Sequence, residues 1–417
     1  MFDPIKASKE IKDSYIDYIT TTFDMADTDY EREFRKELQT DGMVASGPFL
    51  DIGGSYETGH TLRELIQAQK ASVLFERLEP VAEKERELKL DRPLYQHQET
   101  AMLKADKGEN LVVTTGTGSG KTESFLLPII NHLLREQEAG TLSAGVRAII
   151  IYPMNALAND QMKRMRALFK NYPQICYGVY NGNTEHTQSK ALAEYHRTYH
   201  DEAGEPIDPA PNEIISREVM QERPPHILIT NYSMLEYMML RPKDDAVFSG
   251  AKLKFIVLDE AHIYKGATGM ETSLLMRRLR ARISEPDSVQ YILTSATLGG
   301  PDADGDILSF AEKLCGVAFQ RSGIIRSTEK RPAMEDFLDF APALFEELQR
   351  SPDISSVLAR YHADFAPGGS EGEKLYALFL HSRLFALLRK VAHQPITVAQ
   401  LRQALSEICP MTNEQVI

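Results

Sequence analysis

The chain has 417 residues, of which 42% are hydrophobic and 26% are charged. This composition is typical of a folded globular protein and excludes disorder as the main state, while the length predicts two or three domains. No apolar stretch approaches the roughly 18 residues that a bilayer span requires, so a membrane-spanning helix is excluded. The net charge of −13 is opposite in sign to that of proteins held to nucleic acid by a broad basic face.

The cysteines indicate a reducing compartment. Cys176, Cys315 and Cys409 are far apart in the sequence and form no CxxC pair. A zinc knuckle and a disulfide scaffold are therefore disfavoured. The N-terminus also lacks the basic and then apolar pattern of a signal peptide, and together these features predict a cytoplasmic protein.

Residues 1–90 are rich in charged residues and helix formers, and they contain no motif with recognisable chemistry. They predict a helical N-terminal extension that packs on the next domain. The run from Gly47 to Gly59 interrupts the helical pattern and predicts a short extended segment with turns.

Residues 91–322 change to short apolar runs separated by helical segments. Runs rich in β-branched residues, each followed by a helix, predict an α/β domain with a parallel sheet buried on both faces. The polar residues from about 184 to 225 predict a surface insertion with some helix. The candidate strands are Asn110–Thr115, Arg147–Pro153, His226–Asn231, Phe255–Glu260 and Tyr291–Ala296.

Residues 323–417 predict a helical accessory region, with apolar residues at helical spacing from Leu375 to Leu388. The segment PITVAQLRQAL places Thr397 and Gln400 at capping-box spacing. Such a helix could read DNA in a helix-turn-helix, although most capped helices are ordinary structural ones.

The segment TGTGSGKTE, Thr115 to Glu123, follows a predicted strand and precedes an apolar helix. A strand, a glycine-rich turn and a helix N-terminus form a phosphate cradle, in which Lys121 neutralises charge and the Thr122 hydroxyl can ligate Mg²⁺. Thr115 stands where the general P-loop pattern has glycine. The alternative is a glycine-rich turn with an incidental lysine. The candidate nucleotide-binding residues of this turn are Thr117, Gly118, Ser119, Gly120, Lys121 and Thr122.

The segment FIVLDEAH, Phe255 to His262, supplies a second candidate half of the site. A buried strand that ends in two carboxylates delivers them to the edge of the sheet where ligands bind in open α/β folds. Asp259 is expected to hold Mg²⁺, usually through water, and Glu260 to orient and deprotonate the attacking water. An acidic helix cap is the alternative for the tetrapeptide taken alone.

Further segments resemble helicase motifs. LYQHQETA carries Gln98, 23 residues before Lys121, and resembles the Q motif whose glutamine reads the adenine edge. YPMNALANDQ, with Asn155, occupies the position of motif Ia, and ITNYSMLEYMML, with Asn231, resembles a strand-end motif that touches the nucleic-acid backbone. LTSATLG, with Ser295 and Thr297, matches motif III.

In order and spacing these segments resemble superfamily 2 DExH helicases over about residues 91–300, and more narrowly bacterial MrfA-like helicases and large antiphage-defence helicases. The resemblance implies a RecA-like fold, ATP and Mg²⁺ as cofactors, and a single strand of nucleic acid as partner. It also implies that Ser295 and Thr297 couple hydrolysis to strand movement, with hydroxyls that can bond to His262 or to the carboxylates. DNA is favoured over RNA because motif Ia is not PTRELA and the box ends in His262.

Such helicases need a second RecA-like domain with arginine fingers, and nothing after Gly300 resembles one. The segment QRSGIIR, Gln320 to Arg326, only weakly echoes motif VI and is interpreted as a coincidence. The second domain is therefore expected from the remainder of a longer chain or from a partner.

Two functions remain open. The first is an ATP-dependent helicase or translocase, present as its first motor domain. The second is an ATP-gated scaffold or switch that binds proteins of a defence complex without unwinding anything. A P-loop kinase or transporter ATPase is disfavoured because it would not need Gln98, the motif Ia segment or SAT. Stimulation of ATP hydrolysis by single-stranded DNA would distinguish the first two.

Overall fold

The computed structural model describes residues 3–23, 25–50, 56–78, 88–116, 118–201, 204–299, 301–330, 337–392, 395–398, 400–401 and 403–404. The helices in this part of the chain are α1 (Pro4–Thr22), α2 (Thr28–Gln39), α3 (Leu62–Gln67), α4 (Gln96–Asp106), α5 (Lys121–Glu138), α6 (Asn155–Phe169), α7 (Gln188–Thr198), α8 (Arg217–Glu222), α9 (Tyr232–Leu240), α10 (Asp245–Phe248), α11 (Gly266–Arg282), α12 (Asp304–Cys315), α13 (Pro342–Arg350), α14 (Ile354–Arg360), α15 (Glu371–His381) and α16 (Arg383–Val391). The strands are β1 (Phe49–Leu50), β2 (Thr58–Thr61), β3 (Pro93–Tyr95), β4 (Leu111–Thr114), β5 (Ala148–Tyr152), β6 (Tyr177–Tyr180), β7 (Glu213–Ile214), β8 (Ile227–Asn231), β9 (Phe255–Leu258), β10 (Gln290–Ser295), β11 (Ile324–Arg326) and β12 (Ile396–Thr397).

The chain divides into two compact units, which differ in extent from the predicted domains. One unit is Tyr56–Glu329, and the other combines Met1–Ser55 with Lys330–Ile417. Residues 56–78 belong to the α/β unit because β2 pairs with β3, and because Leu62 of α3 is buried in the core of that unit. A helix-forming composition does not reveal which core a helix will join.

The α/β unit is built on one eight-stranded sheet in the order β11–β4–β10–β9–β5–β8–β6–β7. Every neighbouring pair in this sheet is parallel. Parallel neighbours require crossover connections, which place helices on the faces of the sheet. The predicted α/β, RecA-like fold is therefore confirmed, and β4, β5, β8, β9 and β10 correspond to the five predicted strands.

The core of this unit has two apolar layers, one on each face of the sheet. Ile150 and Val257 lie in one layer with Phe125 of α5, whereas Ile256 lies in the other with Leu275 of α11. Successive residues of one strand enter opposite layers, as the period of two in a β-strand requires. Because both faces of the sheet are buried, the sequences of its central strands are continuous apolar runs.

Three strands of the sheet were not predicted from the sequence. β7 comes from the polar segment of about residues 184–225, which also supplies the helices α7 and α8. That segment therefore contributes to the sheet edge, where Tyr177 pairs with Glu213, and is more than a surface insertion. β6 joins β8, while β11 pairs with β4 on the other side of the sheet.

The second unit is described by itself. β1 pairs with β12 in antiparallel fashion, and Thr397 and Gln400 form the predicted cap, with the Gln400 amide 3.2 Å from the Thr397 hydroxyl. Whether the following residues read DNA stays a prediction. No helix in the described part of the chain is long and apolar enough to cross a bilayer. Helices α13 to α15 enclose a small core of Leu344, Leu348, Val357, Leu358, Ala363 and Leu378.

Candidate ATP site

The glycine-rich turn connects the buried strand β4 to the start of α5. Gly118 and Gly120 have φ values of +73° and +72°, in the left-handed region that favours glycine. A Cβ atom on Gly120 would lie 2.4 Å from Nε2 of Gln98, so a larger residue would displace this amide. The backbone amides of such a turn, together with the N-terminus of α5, form the predicted phosphate cradle. Thr117 lies outside the described residues.

Thr115 has a structural role that its departure from the general pattern did not reveal. Its hydroxyl accepts a hydrogen bond from Ser119 Oγ at 2.7 Å, and both residues are buried. The two hydroxyls therefore close the turn internally. Glycine at position 115 would remove this contact.

Gln98 lies behind the turn. Its Oε1 accepts a hydrogen bond from the Tyr95 amide at 3.0 Å, and its Nε2 donates to the Gly120 carbonyl at 3.0 Å. The side chain is thus buried and bonded at both ends to this unit. These bonds fix the position of Gly120, while the contact of Gln98 with adenine stays a prediction.

The predicted halves of the site meet at the carboxyl edge of the sheet. Lys121, the first residue of α5, donates from Nζ to Glu260 Oε1 at 3.2 Å, and Thr122 follows it on the same helical turn. Glu260 adopts a left-handed conformation with φ of +48°, which is uncommon for a residue with a side chain. The end of β9 and the start of α5 therefore bring a carboxylate and an ammonium group together, although 139 residues separate them.

Asp259 is held by the neighbouring strands. Its amide donates to the Ile151 carbonyl at 3.1 Å, and its Oδ1 accepts a hydrogen bond from the Thr294 hydroxyl. Burial raises the pKa of the Asp259 carboxyl above its ordinary value, although the hydrogen bond from Thr294 opposes this shift. Sequence reasoning missed Thr294. The pairing of Leu293 with Leu258 could have indicated it, because the next residues along the two strands are then side by side.

His262 connects the acidic box to motif III. Its Nδ1 lies 3.2 Å from Glu260 Oε2 and 3.1 Å from Ser295 Oγ. The Ser295 hydroxyl in turn accepts a hydrogen bond from the Thr297 amide at 3.1 Å. Ser295 therefore makes a contact of the kind that the sequence predicted, whereas the contact of Thr297 uses its backbone, and the carboxylate contact belongs to Thr294.

The two predicted nucleic-acid residues lie together. Asn155 begins α6 directly after β5, and Asn231 ends β8, the neighbouring strand. Nδ2 of Asn231 donates to Oδ1 of Asn155 at 2.8 Å, and Oδ1 of Asn231 caps α9 by accepting from the Met234 amide. Both side chains are therefore at the carboxyl edge of the sheet, as is the Lys121–Glu260 contact.

An aromatic cluster lies beside the turn. The rings of Tyr95 and His97 stack at 5.6 Å, and Tyr56 meets both edge-on at 5.6 and 5.9 Å. His97 Nε2 lies 2.9 Å from the Ser119 carbonyl, and burial lowers the pKa of this imidazole. A Cβ on Gly116 would lie 2.9 Å from the Tyr56 hydroxyl. No motif marked Tyr56, which joins the cluster through the pairing of β2 with β3.

The donor atoms at this edge fit Mg²⁺. Mg²⁺ prefers oxygen ligands and is usually bound through one or two carboxylates together with substrate phosphates. Asp259 and Thr122 offer a carboxylate and a hydroxyl of this kind. No group of three or more His, Cys, Asp or Glu residues that could hold a metal ion occurs in the described part of the chain. Binding by one carboxylate and phosphate oxygens does not require such a group.

A separate groove of about 850 Å³ lies between α9 and α11. None of the predicted ATP-site residues lines it. Its lining includes Tyr237 and Leu274, which are exposed, and the Arg278–Glu236 ion pair.

The fold and the paired motifs define a P-loop nucleotide-binding domain, and comparison with known proteins identifies its family. The family model of DEAD/DEAH box helicases matches residues 95–203 and 204–304, about half of the chain. The chain belongs to the DEAD/DEAH box helicase family. Use of ATP is a property of this family.

The chain is 32% identical to Druantia protein DruE of Escherichia coli over 78% of its own length and 22% of that protein. It is 31% identical to the ATP-dependent helicase YprA of Bacillus subtilis over 52% of its length and 24% of that protein. A crystal structure of the DUF1998 helicase MrfA bound to DNA overlaps 70% of this chain and 31% of that chain, with a TM-score of 0.46 and 22% identity. The chain thus spans less than a quarter of the length of these two curated relatives.

Proposed function

We propose that this chain is the first motor domain of an ATP-dependent helicase or translocase that acts on nucleic acid. The observation that carries the proposal is the contact between Lys121 and Glu260. It joins the glycine-rich turn to the acidic box in one site, at the sheet edge where open α/β folds bind ligands. Membership of the DEAD/DEAH box helicase family supports the same activity.

Within this site, we assign binding of ATP to Gln98 and the turn, and chemistry to the carboxylates. Lys121 neutralises charge on the phosphates, and Thr122 and Asp259 would hold Mg²⁺. When bound, Mg²⁺ neutralises charge that develops on the phosphate oxygens. Glu260 orients the attacking water and accepts its proton, and His262 fixes Glu260 from the side of motif III. The nucleotide-binding residues are Gln98, Thr117, Gly118, Ser119, Gly120, Lys121 and Thr122.

We propose single-stranded nucleic acid as the partner, with DNA favoured over RNA. Asn155 and Asn231 are the proposed contacts, and their mutual hydrogen bond supports a shared role in one backbone-binding surface. Two uncharged amides suit a chain of net charge −13, because they can contact phosphate oxygens without a broad basic face. The preference for DNA rests on the motif Ia sequence and on His262.

We further propose that a second RecA-like domain, in a longer chain or in a partner, completes the motor. Charge on the transferring phosphoryl group requires cations in addition to Lys121, and an arginine supplied across an interface is the usual source. A role in antiphage defence is also proposed, and the identity shared with DruE supports it. The second candidate function is an ATP-gated scaffold that binds proteins of such a complex.

The nucleotide site is tested by the substitution Lys121→Ala. Loss of the ammonium group should weaken binding of ATP–Mg²⁺ strongly, while circular dichroism and thermal unfolding still report a folded protein. The matched control is Lys107→Ala, which removes an exposed lysine at the end of α4. Unchanged ATP affinity in a folded Lys121→Ala protein would refute the site.

The two candidate functions, helicase and scaffold, predict different responses of ATP hydrolysis to DNA. In a protein that contains both motor domains, single-stranded DNA should stimulate ATP hydrolysis, and the stimulation should decline as salt weakens DNA binding. ATP binding without any response to single-stranded DNA or RNA would favour the scaffold.

A further inference from the structure

Helix α6 is attached to the base of the glycine-rich turn by an ion pair. Arg164 of α6 donates from Nη2 to Oε1 of Glu123 at 2.5 Å. The exposed fractions of the two side chains are only 21% and 16%. Because both charges are largely shielded from water, this pair is screened less than a surface ion pair.

Glu123 lies directly against the turn. It is the third residue of α5, and a Cβ atom on Gly120 would lie 3.0 Å from Glu123 Oε2. That oxygen is buried and has no hydrogen-bond partner among the described residues. A movement of the turn would therefore act on this carboxylate as well as on Gln98, and through the carboxylate on Arg164.

Strand β5, which precedes α6 in the chain, runs beside the strand that carries the acidic half of the site. Tyr152 ends β5, beside the position of Asp259, whose amide bonds to the preceding residue, Ile151. The charges of Asp259 and Arg164 both act on the Tyr152 phenol, and burial raises its pKa well above the ordinary value. Its hydroxyl is buried without a hydrogen-bond partner in the part of the chain that the structure describes.

Gln161 lies one helical turn before Arg164 on α6, and its Oε1 is also buried without a partner among the described residues. Buried polar atoms without hydrogen bonds cost free energy. Three such atoms, from Glu123, Tyr152 and Gln161, belong to α5, β5 and α6. Such an arrangement is suited to a change of partners, because a shift of one helix can satisfy atoms that are now unpaired.

We propose that Arg164 is a positioning residue that transmits nucleotide occupancy from the glycine-rich turn to α6, and so to Asn155 at the start of that helix. This inference rests on the proposed function of the site. Through Glu123 the arginine follows the turn that is proposed to bind phosphate. Its helix α6 follows β5, which pairs with the strand that leads into the acidic box. By linkage, a ligand at the beginning of α6 would then alter nucleotide affinity through the same pair.

The test compares hydrogen–deuterium exchange in α6 with and without saturating AMP-PNP–Mg²⁺. In the wild-type chain, nucleotide should change the exchange of Asn155–Phe169. In Arg164→Gln, affinity for the nucleotide should stay within about twofold, the change expected for a substitution that does not touch the ligand, while the exchange response of α6 is lost. The matched control is Lys163→Gln, since Lys163 pairs with Asp160 on the surface of the same helix and is 70% exposed.

A second variant separates positioning from simple structural damage. Glu123→Gln preserves shape but removes the charge, and it should also abolish the response of α6. The double variant Glu123→Gln/Arg164→Gln should lose no more than either single variant, because both act through one contact. An undiminished response in nucleotide-bound Arg164→Gln, or additive losses in the double variant, would overturn the inference. Failure of the wild-type chain to bind AMP-PNP would instead refute the proposed ATP site.

Discussion

Asp259 combines burial with a proposed function, the binding of Mg²⁺, that requires a charged carboxylate. Burial raises the pKa of its carboxyl from the ordinary value of 3.8, so ionisation at neutral pH destabilises the folded state. The Thr294 hydroxyl offsets only part of this effect. The free-energy cost of burying this carboxylate agrees with its proposed role in ligand binding and not with a stabilising role.

The substitution Asp259→Asn should increase thermal stability at pH 8 while abolishing the dependence of ATP binding on Mg²⁺. Because its pKa is raised, the contribution of Asp259 to wild-type stability is fully present below pH 3.8 and is lost as the pH rises through the raised value. The difference in melting temperature between Asp259→Asn and the wild type should therefore become smaller as the pH falls. Thermal melts across a pH series measure it, and Asp287→Asn, at an exposed carboxylate, is the control. A pH-independent gap would contradict this account.

Glu260 is expected to act in chemistry and not in binding. Glu260→Gln preserves shape and leaves Asp259 in place, but it removes both the base and the charge that contacts Lys121. In a protein with both motor domains, ATP should still bind and the closed complex should accumulate, while hydrolysis falls by orders of magnitude. Single-turnover hydrolysis measures the effect. Retained turnover would show that another group activates the water.

Among the elements, the end of β10 and the loop that follows it contact the residues that are proposed to act in hydrolysis. Ser295 bonds to His262, which contacts Glu260, and the Thr297 amide bonds back to Ser295. A displacement of this loop therefore changes the position of His262 and, with it, the orientation of Glu260. On this geometry we expect the Ser295 hydroxyl, at the end of one strand, to influence a carboxylate on another strand.

The double variant Ser295→Ala/Thr297→Ala should reduce strand displacement more than ATP hydrolysis in a protein with both motor domains. The carboxylates keep their contacts with Lys121 and Thr294, whereas the bond from Ser295 to His262 is lost. Measurements of strand unwinding and of ATP turnover on the same samples give the number of base pairs unwound per ATP hydrolysed, which should fall in the double variant. Ser249→Ala, which removes an exposed hydroxyl on the same unit, is the control. Equal losses of both activities would indicate structural damage.

Prediction of these elements from sequence succeeded where local pattern and tertiary context agree. Strands buried on both faces consist of continuous β-branched runs, so five of them were recognised. β7 is only two residues long and lies in a polar segment, and it becomes a strand because Glu213 pairs with Tyr177 of β6. β11 likewise depends on its neighbour β4. Pairing of this kind has no local signature.

For the proposed site, the sequence indicated the segments that the structure brings together, but few of the contacts between them. The glycine-rich turn and the acidic box indicated Lys121 and Glu260, because their residue types carry the chemistry. Thr294 and Tyr56 carry no motif, and only the register of β10 with β9 and of β2 with β3 brings them to the site. The Arg164–Glu123 pair was missed because an ion pair between helices leaves no periodic pattern.

At the scale of the whole molecule, the proposed site holds the parts that bind and position ATP but needs a further source of positive charge. The ammonium group of Lys121 already pairs with the Glu260 carboxylate, and the chain as a whole carries a net charge of −13. A completing motor domain would supply the arginine and the other half of a nucleic-acid groove. Related systems gain about 10³–10⁵-fold in rate from an arginine supplied across an interface.

The most direct measurement is therefore ATP binding and turnover by residues 1–417 in the same sample, with and without single-stranded DNA. We expect the chain to bind ATP–Mg²⁺, to hydrolyse it very slowly, and to hold single strands weakly. Addition of a second RecA-like domain should restore turnover and DNA binding together. Rapid, DNA-stimulated turnover by the monomeric chain alone would contradict the account, because an arginine within these 417 residues would then complete the site.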